Sequence, residues 1–249
     1  MAATPAASAL IVGATGATGR HVLTELLASN HFTRVVEVGR RVTPPESLAD
    51  AAGKDKLVQK VIDFENTQVA EWKLKDQDAD VVFITLGTTR AAAGSQERWD
   101  KIDREIPLNV ANDARIPGKD QRVVYLSSTG ANAGSMFSYP RSKGLTEQGL
   151  AKAGYTDAIM FRPGLLKTKR DEPRLLESLY GKLTGVLSTF HGGLEIPVTT
   201  LAKSIVHAGS VGTAGLSPAA AASTQPAEKD VPAYTIIGNK GAADMAKSL

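Results

Sequence analysis

The sequence predicts an α/β fold in which helices cover both faces of a doubly wound parallel sheet, built as a single domain. Short apolar runs rich in Val and Ile alternate along the chain with segments whose apolar residues recur at helical spacing. Short runs rich in Val and Ile indicate strands buried on both faces, and strands that alternate with helices are typically parallel and joined by right-handed crossovers. The 249 residues, of which 42% are hydrophobic, are enough for one well-buried core.

Six apolar runs are the predicted strands, and they span residues 9–12, 35–38, 57–62, 81–86, 123–126 and 158–161. The first predicted helix places Val22, Leu23, Leu26 and Leu27 on one face. Further helices are predicted at residues 66–74, 95–114, 139–153 and 201–209. Pro107 lies within the second of these further helices, and we expect a kink or a break there because proline cannot donate the helical hydrogen bond.

The segment after residue 210 is predicted to leave the core and then return to it. Residues 211–231 are rich in Ala, Ser, Thr and Pro, which predicts a flexible linker after a core of about residues 8–210. Residues 232–249 are predicted to be a C-terminal return segment. Ile236 and Ile237 follow the polar stretch there, so we expect this segment to pack on the core.

Composition excludes several classes of function. Lys and Arg number 29 against 26 Asp and Glu, a net charge of +3 with no dense basic block, so no nucleic-acid partner is expected. The lack of cysteine excludes disulfides, thiolate catalysis and Cys-ligated zinc. The histidines are scattered without the spacing of metal ligands, so no metal site is expected; they are His21, His31, His191 and His207.

Neither a membrane anchor nor a secretory leader is expected from the sequence. No run approaches the ~18 apolar residues of a membrane-spanning helix. The first nine residues, MAATPAASA, lack the basic start and the length of a secretory signal. These features predict an intracellular protein.

A glycine-rich turn follows the first predicted strand and leads directly into the first predicted helix. Its spacing, GxxGxxG, departs from the GxGxxG of many dinucleotide-binding folds. Glycine allows tight turns and lets another group approach the backbone closely. Backbone amides at the positive end of the helix would then bind a pyrophosphate. The predicted binding residues of this turn are Gly13, Thr15, Gly16, Ala17, Thr18 and Gly19.

The end of the second predicted strand indicates which dinucleotide is bound. Sites selective for NAD place an acidic residue here, to bond the ribose 2′-hydroxyl, whereas arginine accommodates the 2′-phosphate of NADP. The chain has Gly39 at this position, followed by Arg40 and Arg41. Two guanidiniums can hold a phosphate in a bidentate manner and stack on adenine, so NADP(H) is the predicted cofactor.

Two further strand ends are predicted to reach the cofactor. Asp63 follows the third strand and could bond the adenine amino group. Gly87 follows the fourth strand and would let the backbone pass close to a ribose. Ligands of open α/β sheets bind at the carboxyl ends of the strands, where the strand order reverses. We therefore expect these residues and the glycine turn to share one crevice.

Hydroxyl side chains and a YxxxK pair predict a site for proton transfer. The fifth strand ends in Ser127, Ser128 and Thr129, and Tyr139 precedes Lys143 by one helical turn. An ammonium at this distance stabilises a phenolate. The phenol could then exchange a proton with a substrate oxygen that a serine hydroxyl polarises. All three hydroxyl residues are candidates for that role, with Ser128 preferred.

With these motifs the chain resembles the short-chain dehydrogenase/reductase superfamily, in the atypical branch of the human Tat-interacting oxidoreductase and its fungal mitochondrial relatives. The motifs that carry the resemblance span nearly the whole chain and are GATGATGR, VGRR, DFE, LGTTRAAAG, KIDREIPLNVA, LSSTGAN, YPRSKG, FRPGLL and IIGNKGAADMAK. The resemblance implies a Rossmann fold with NADPH. It also implies that NADPH contacts Thr15, Gly16, Ala17, Thr18, Arg40, Arg41, Leu86, Gly87, Tyr139, Lys143, Leu166 and Arg174.

The chain departs from the superfamily pattern at two points. Tyr139 follows Ser128 by eleven residues, a shorter spacing than in most of the superfamily, which keeps the choice of hydroxyl open. The asparagine that completes the proton relay in many relatives has no clear counterpart, although Asn109 and Asn112 lie near the corresponding helix.

Two functions follow as hypotheses. The first is an NADPH-dependent reductase of a small carbonyl compound, with Tyr139 as the acid, Lys143 as its partner and ribose ligand, and Ser128 orienting the carbonyl. The second is a non-catalytic NADPH-binding protein that regulates a protein partner, although an intact Tyr139–Lys143 pair favours the enzyme. The resemblance also implies a cytoplasmic protein or one that associates peripherally with the mitochondrial outer membrane.

Overall fold

The computed structural model describes residues 7–66, 68–167 and 195–249, and in these ranges the chain folds around an eight-stranded sheet. The strands in chain order are β1 (Ala7–Val12), β2 (Phe32–Gly39), β3 (Leu57–Val61), β4 (Val81–Ile84), β5 (Arg122–Leu126), β6 (Asp157–Arg162), β7 (Leu165–Lys167), β8 (Glu195–Pro197), β9 (Ser223–Gln225) and β10 (Tyr234–Gly238). Strands β7 and β8 pair with each other in a separate two-stranded sheet.

Seven α-helices lie in the described ranges, together with several short turns of other helical types. The α-helices are α1 (Gly19–Ala28), α2 (Arg90–Ala93), α3 (Gln96–Asp100), α4 (Ile106–Ala114), α5 (Ser138–Lys152), α6 (Val198–Gly215) and α7 (Asn239–Lys247). Turns of 3-10 helix span Pro45–Leu48, Lys54–Lys56, Val69–Trp72, Lys75–Gln77 and Pro218–Ala220, and a π-helical turn spans Lys101–Glu105. No helix in these ranges is both long and apolar enough to cross a membrane.

The strand order of the large sheet is β3-β2-β1-β4-β5-β6-β10-β9. Every neighbouring pair is parallel except β10 with β9. The chain runs outward from β1 through β2 to β3 and then crosses to β4 on the other side of β1. The order therefore reverses between β1 and β4, which is where open sheets of this kind bind ligands. The predicted doubly wound Rossmann fold is confirmed.

Side chains that alternate along the strands bury the central sheet on both faces. One face carries Phe83 and Val124 and packs against α1, α6 and α7. The other face carries Val82 and Tyr125 and packs against α4 and α5. Full burial of one large apolar side chain is worth about 1.5–3 kcal/mol, so these two layers fix the positions of the helices that carry the site.

Two predicted elements differ from the structure. Strand β3 is an edge strand whose Val58 and Val61 are exposed, whereas a strand buried on both faces was expected. The helix expected at residues 66–74 is reduced, in its described residues, to the 3-10 turn that buries Trp72. Composition alone does not distinguish an edge strand from a central one, and a single buried ring needs only one turn to reach the core.

The helix predicted at residues 95–114 is interrupted just before Pro107, as the proline indicated. The interruption is the π-helical turn Lys101–Glu105 between α3 and α4. Proline has no N–H, so Pro107 cannot donate to the carbonyl of Asp103 four residues earlier. That carbonyl instead accepts a hydrogen bond from Thr146 Oγ1 on α5, at 3.4 Å. The same turn directs the Asp103 side chain into the interior, where the residue is 1% exposed.

Residues 211–231, expected to form a flexible linker, contain regular structure. Helix α6 continues to Gly215 with a kink at Gly212, which has a φ of 70°. The 3-10 turn Pro218–Ala220 follows, and β9 then pairs antiparallel with β10. The expectation of an irregular segment is therefore wrong, because alanine-rich sequence also suits a helix end and small polar residues also suit an edge strand.

The C-terminal segment packs on the core. Strand β10 pairs in parallel with β6, and α7 packs against α6. The fully buried Glu147 of α5 accepts hydrogen bonds from Arg162 of β6, at 2.9 Å from Nε and 2.5 Å from Nη2. The Tyr234 hydroxyl of β10 lies 3.4 Å from the same carboxylate. Glu147 therefore links α5 to both strands.

Arg162→Ala should lower the free energy of unfolding by about 3–5 kcal/mol, because it leaves the Glu147 carboxylate buried without its cation. Urea denaturation followed by circular dichroism measures the loss. Lys152→Ala is the control, since it removes an exposed ion pair with Asp230 and should change the free energy by less than about 1 kcal/mol. Equal losses in the two variants would contradict this interpretation of Glu147.

Candidate functional site

A cleft of about 360 Å³ opens where the strand order reverses, at the carboxyl ends of β1, β2 and β4. The glycine turn forms one wall and the loop after β4 forms the other. The lining residues from these and neighbouring loops are Gly13, Ala14, Thr15, Gly16, Ala17, Gly39, Arg40, Arg41, Phe64, Glu65, Thr85, Leu86, Gly87, Thr88, Thr89, Ala92, Arg98, Ile102 and Ile106. Most of the predicted cofactor residues thus share one crevice.

The glycine turn is tight because two backbones and a side chain converge on it. Gly13 has a φ of 89°, and a Cβ there would lie 2.8 Å from the Thr85 carbonyl carbon. A Cβ at Gly19 would lie 2.0 Å from the Gly13 carbonyl oxygen. Only glycine fits at either position. Gly16 lines the cleft, and its amide donates to the Gly13 carbonyl at 3.0 Å.

Backbone amides beside this turn are available to a ligand. Among the residues that the structure describes, no backbone carbonyl accepts from the amides of Thr15, Ala17 or Thr18. Thr18 is the N-cap of α1, and its side chain makes no capping hydrogen bond. Free amides at the positive end of a helix suit a phosphate group.

Arg40 and Arg41 border the cleft on the loop after β2, with both residues exposed. A Cβ at Gly39 would lie 2.7 Å from the Arg41 carbonyl oxygen. The loop conformation that presents the arginines therefore leaves no room for an acidic side chain at residue 39.

A buried carboxylate holds this arginine loop in place. Glu37 of β2 is 1% exposed, and its Oε1 accepts hydrogen bonds from Thr43 N at 2.8 Å and Thr43 Oγ1 at 2.7 Å. Its Oε2 accepts a hydrogen bond from Gln59 Nε2 at 2.8 Å. Because the two ends of the loop are tied to β2, the arginines project from a fixed backbone.

The loop after β3 does not place Asp63 in the cleft. Asp63 is exposed, and its Oδ1 accepts a hydrogen bond from the amide of Glu65 at 2.9 Å. Phe64 and Glu65 line the cleft instead. Glu65 pairs with Lys101 at 2.5 Å, and this hydrogen bond and charge hold the pKa of the carboxyl below its usual range.

The remaining residues predicted to bind the cofactor divide into three groups. Leu86 and Gly87 line the cleft. Leu166 on β7 packs against the core layer that contains α1 and α6 and is outside the cleft lining. Arg174 lies outside the described residues.

Tyr139 lies in the first turn of α5 and is half-buried. Its ring centroid is 6.0 Å from that of the buried Trp99, and Trp99 Nε1 donates to the Thr88 carbonyl at 3.0 Å. Thr88 lines the cleft, so Trp99 connects the cleft wall to the tyrosine.

Lys143 is buried one helical turn beyond Tyr139, with 3% of the residue exposed. Its Nζ donates a hydrogen bond to the Tyr125 hydroxyl at 2.9 Å and lies 3.1 Å from Asp103 Oδ1. A Cβ at Gly87 would be 3.8 Å from this Nζ. The ammonium therefore lies directly behind the cleft wall, next to Gly87.

The three hydroxyl candidates after β5 differ in their access to solvent. The Ser127 hydroxyl is buried and has no hydrogen-bond partner among the described residues. Ser128 is half-buried, and its hydroxyl contacts the Thr129 carbonyl at 3.3 Å, while Thr129 itself is exposed. Ser128 and Thr129 are thus open to a ligand, and Ser127 is closed.

Sequence reasoning missed Asp103, the side chain that meets Lys143. The sequence instead offered Asn109 and Asn112 of α4 near the helix of the proton-relay asparagine, and these residues are half-buried and exposed, respectively. The available signal was an acidic residue four positions before a proline inside an otherwise helical stretch. Among the described residues, no group of three His, Asp or Glu side chains could hold a metal ion.

The residues present fit a dinucleotide along the length of the cleft. Free amides for a pyrophosphate lie at its centre, the two arginines border one end, and Gly87 and Lys143 lie at the other. A family described as NAD(P)H-binding matches residues 13–208, most of the chain. The chain belongs to the NAD(P)H-binding family. The cleft is therefore the candidate site for this cofactor.

Two relatives are similar to this chain over most of its length. Protein fmp52, mitochondrial, from Aspergillus niger is 33% identical over 217 residues, which cover 86% of this chain and 91% of that protein. Protein HTATIP2 from Rattus norvegicus is 34% identical over 201 residues, which cover 80% of each chain. The predicted resemblance to the atypical branch of the short-chain dehydrogenase/reductases is confirmed.

Solved structures share the fold at lower sequence identity. The enzyme WbmH from Bordetella bronchiseptica, in complex with NAD+, has a TM-score of 0.61 at 19% identity over 84% of this chain and 73% of that chain. The carbonyl reductase Sniffer of D. melanogaster has a TM-score of 0.56 at 16% identity over 83% of this chain and 92% of that chain.

Gly19→Ala in this NAD(P)H-binding protein should destabilise the fold by about 1–3 kcal/mol, because the added methyl overlaps the Gly13 carbonyl. Cofactor affinity should fall at least about tenfold, or 1.4 kcal/mol, as the amides move. Gly238→Ala is the matched control, since a Cβ there meets nothing within 4 Å. Thermal unfolding and cofactor fluorescence measure the two effects, and equal behaviour of the two variants would contradict the close approach.

Proposed function

We propose that the protein is an NADPH-dependent reductase of a small carbonyl compound and that Tyr139 provides the proton. The observation that carries this proposal is the place of Lys143, whose buried ammonium lies behind Gly87 and one helical turn from Tyr139. A charged lysine is costly to bury, so its position between the cleft and a tyrosine suggests a chemical role.

The preference for NADP(H) is supported by the loop after β2. Its two arginines are exposed at the cleft border, and its backbone excludes the acidic side chain that would bind the ribose of NAD. A 2′-phosphate would gain charge-assisted, bidentate hydrogen bonds from guanidiniums, whereas a hydroxyl would gain much less.

The residues divide the chemistry among them. NADPH, when bound, supplies the hydride that reduces the carbonyl carbon. The Tyr139 hydroxyl donates a proton to the carbonyl oxygen, and the Lys143 ammonium stabilises the phenolate that remains. Ser128 donates a hydrogen bond to the same oxygen and so orients the carbonyl. We prefer Ser128 to Ser127 because the Ser127 hydroxyl is closed to solvent.

A second function, a non-catalytic NADPH-binding protein that regulates a partner, is favoured by one feature of the surface. Met136 and Phe137 directly precede α5 and are 93% and 71% exposed. Neighbouring exposed apolar side chains suit contact with another protein. If the protein binds NADPH tightly but reduces none of the aldehydes, ketones and quinones in a broad panel, this second function is favoured.

The names of the fungal relatives support a mitochondrial location, and we propose peripheral association with the outer membrane. Release from purified mitochondria by alkaline carbonate, together with sensitivity to protease added outside, supports this location. Retention inside protease-treated mitochondria contradicts it.

Intact protein should bind NADPH at least about tenfold more tightly than NADH, a difference of 1.4 kcal/mol. Arg40→Ala combined with Arg41→Ala should remove most of that difference, because the 2′-phosphate loses both cations. Lys240→Ala combined with Lys247→Ala is the control, since it removes the same charge from α7. Titration calorimetry measures the affinities, and equal affinities of the intact protein for the two cofactors would contradict the assignment.

Tyr139→Phe should leave NADPH affinity nearly unchanged and lower the rate of reduction by about 10²–10⁴-fold, because it removes only the proton donor. Tyr155→Phe is the matched control, since its hydroxyl donates to the Ala111 carbonyl at 2.7 Å in the core. Cofactor fluorescence and NADPH oxidation with the best substrate of the panel measure the two quantities. A rate within a few-fold of the intact protein would show that Tyr139 is not the acid.

A further inference from the structure

One buried carboxylate has no role in the function proposed above. Asp103 is 1% exposed, and neither of its oxygens has a hydrogen-bond partner among the described residues. Its one ionic contact there is with Lys143, at 3.1 Å between Oδ1 and Nζ. A buried charge is tolerated when an opposite charge accompanies it, so each residue of this pair depends on the other.

The local structure around Asp103 fixes its carboxylate toward α5. Pro107 has no N–H to donate to the Asp103 carbonyl, and Thr146 Oγ1 of α5 donates to it at 3.4 Å. The π-helical turn that results is a rare conformation that occurs frequently at functional sites. A Cβ at Gly87 would lie 3.5 Å from Asp103 Oδ1, so the carboxylate also lies just behind the cleft wall.

We propose that Asp103 is a positioning residue for Lys143, which it holds in place behind Gly87 and keeps positively charged throughout the neutral and basic pH range. What Lys143 then does for NADPH and Tyr139 rests on the proposed function. The ion pair itself does not depend on that function and can be tested without a substrate.

The groups that face the Lys143 ammonium come from three elements. They are Asp103 of the π-helical turn, Tyr125 of β5 and Tyr139 of α5. Burial is the largest single influence and disfavours the charged lysine, but Asp103, the strongest opposing group, together with Tyr125 and Tyr139 raises the pKa of Lys143 well above its usual value. Burial raises the pKa of Tyr125 as well, so its hydroxyl stays neutral and cannot replace the carboxylate.

The sign of the expected effect follows from these partners. A lysine with a raised pKa is charged below that value and loses its charge only as the pH rises through it. Asp103→Asn preserves the shape of the side chain and removes the charge, which leaves burial as the dominant influence on Lys143. Lysine deprotonation should then move to lower pH, toward the range of other buried lysines.

The experiment compares Asp103→Asn with the intact protein and with Asp100→Asn. Asp100 lies in the same helical stretch, where it forms a distant ion pair with Arg104, at 3.9 Å, and accepts a hydrogen bond from Gln96 Nε2 at 2.9 Å. Proteins labelled with ¹³C-lysine are titrated by NMR, with Lys143→Met assigning the resonance. NADPH affinity is measured by fluorescence at pH 7 and at pH 9.

In the intact protein and in Asp100→Asn, Lys143 should not titrate below pH 10, and NADPH affinity should be nearly equal at the two pH values. In Asp103→Asn, Lys143 should titrate between pH 7 and pH 9. NADPH affinity should then fall about tenfold from pH 7 to pH 9, because the charged fraction of a lysine is about one tenth at one pH unit above its pKa. A Lys143 titration in Asp103→Asn that matches the intact protein overturns the proposal.

The test still gives a result if Asp103→Asn does not fold or if the intact protein does not bind NADPH. If Asp103→Asn does not fold, the double variant that adds Lys143→Met should fold again, because the double variant buries no unpaired charge. Failure of both variants to fold overturns the proposal. If the intact protein does not bind NADPH, the proposed function fails, while the NMR titration still decides whether Asp103 controls the charge of Lys143.

Discussion

The cleft exists because two stretches of backbone touch where β1, α1 and β4 meet. The space that a Cβ of Gly19 would occupy is filled by the Gly13 carbonyl, and the equivalent space at Gly13 is filled by Thr85. Protein interiors are too densely packed to absorb even one extra methyl at such a point. This contact orients α1 so that its first turn lies at the carboxyl ends of the strands. The arginine loop and the loop that carries Gly87 then form the two ends of the same crevice.

The charged residues at the two ends of that crevice differ in their burial. Arg40 and Arg41 are exposed, and exposed charges contribute at most about 1 kcal/mol to folding, so they can be exchanged with little effect on stability. The pair of Lys143 and Asp103 is buried, and loss of one partner from such a pair typically costs about 3–5 kcal/mol. Substitution of Lys143 alone therefore leaves Asp103 as an unpaired buried charge, whereas replacement of both residues does not.

Local pattern was sufficient to predict β1 to β6, the glycine turn, the arginines and the YxxxK pair, because each depends on neighbours in the sequence. The position of the Asp103 side chain depends on a proline four residues away and also on Thr146 of another helix, so the local pattern alone did not place it. The exposure of β3 depends on its place at the edge of the sheet. Asp63 was expected in the cleft from its place after a strand, but its carboxylate bonds within its own turn.

Strand β10 lies inside the sheet although it is the last strand of the sheet to be synthesised. Thr235 pairs with Ile159, so the open edge of β6 has no partner until β10 has left the ribosome. Unpaired strand edges are templates for aggregation, and pairing between distant segments is slow. The nascent chain therefore carries an unpaired strand edge from the completion of β6 at Arg162 until β10 has been made. Only newly made chains expose the edge of β6, because β10 covers it once the two strands have paired.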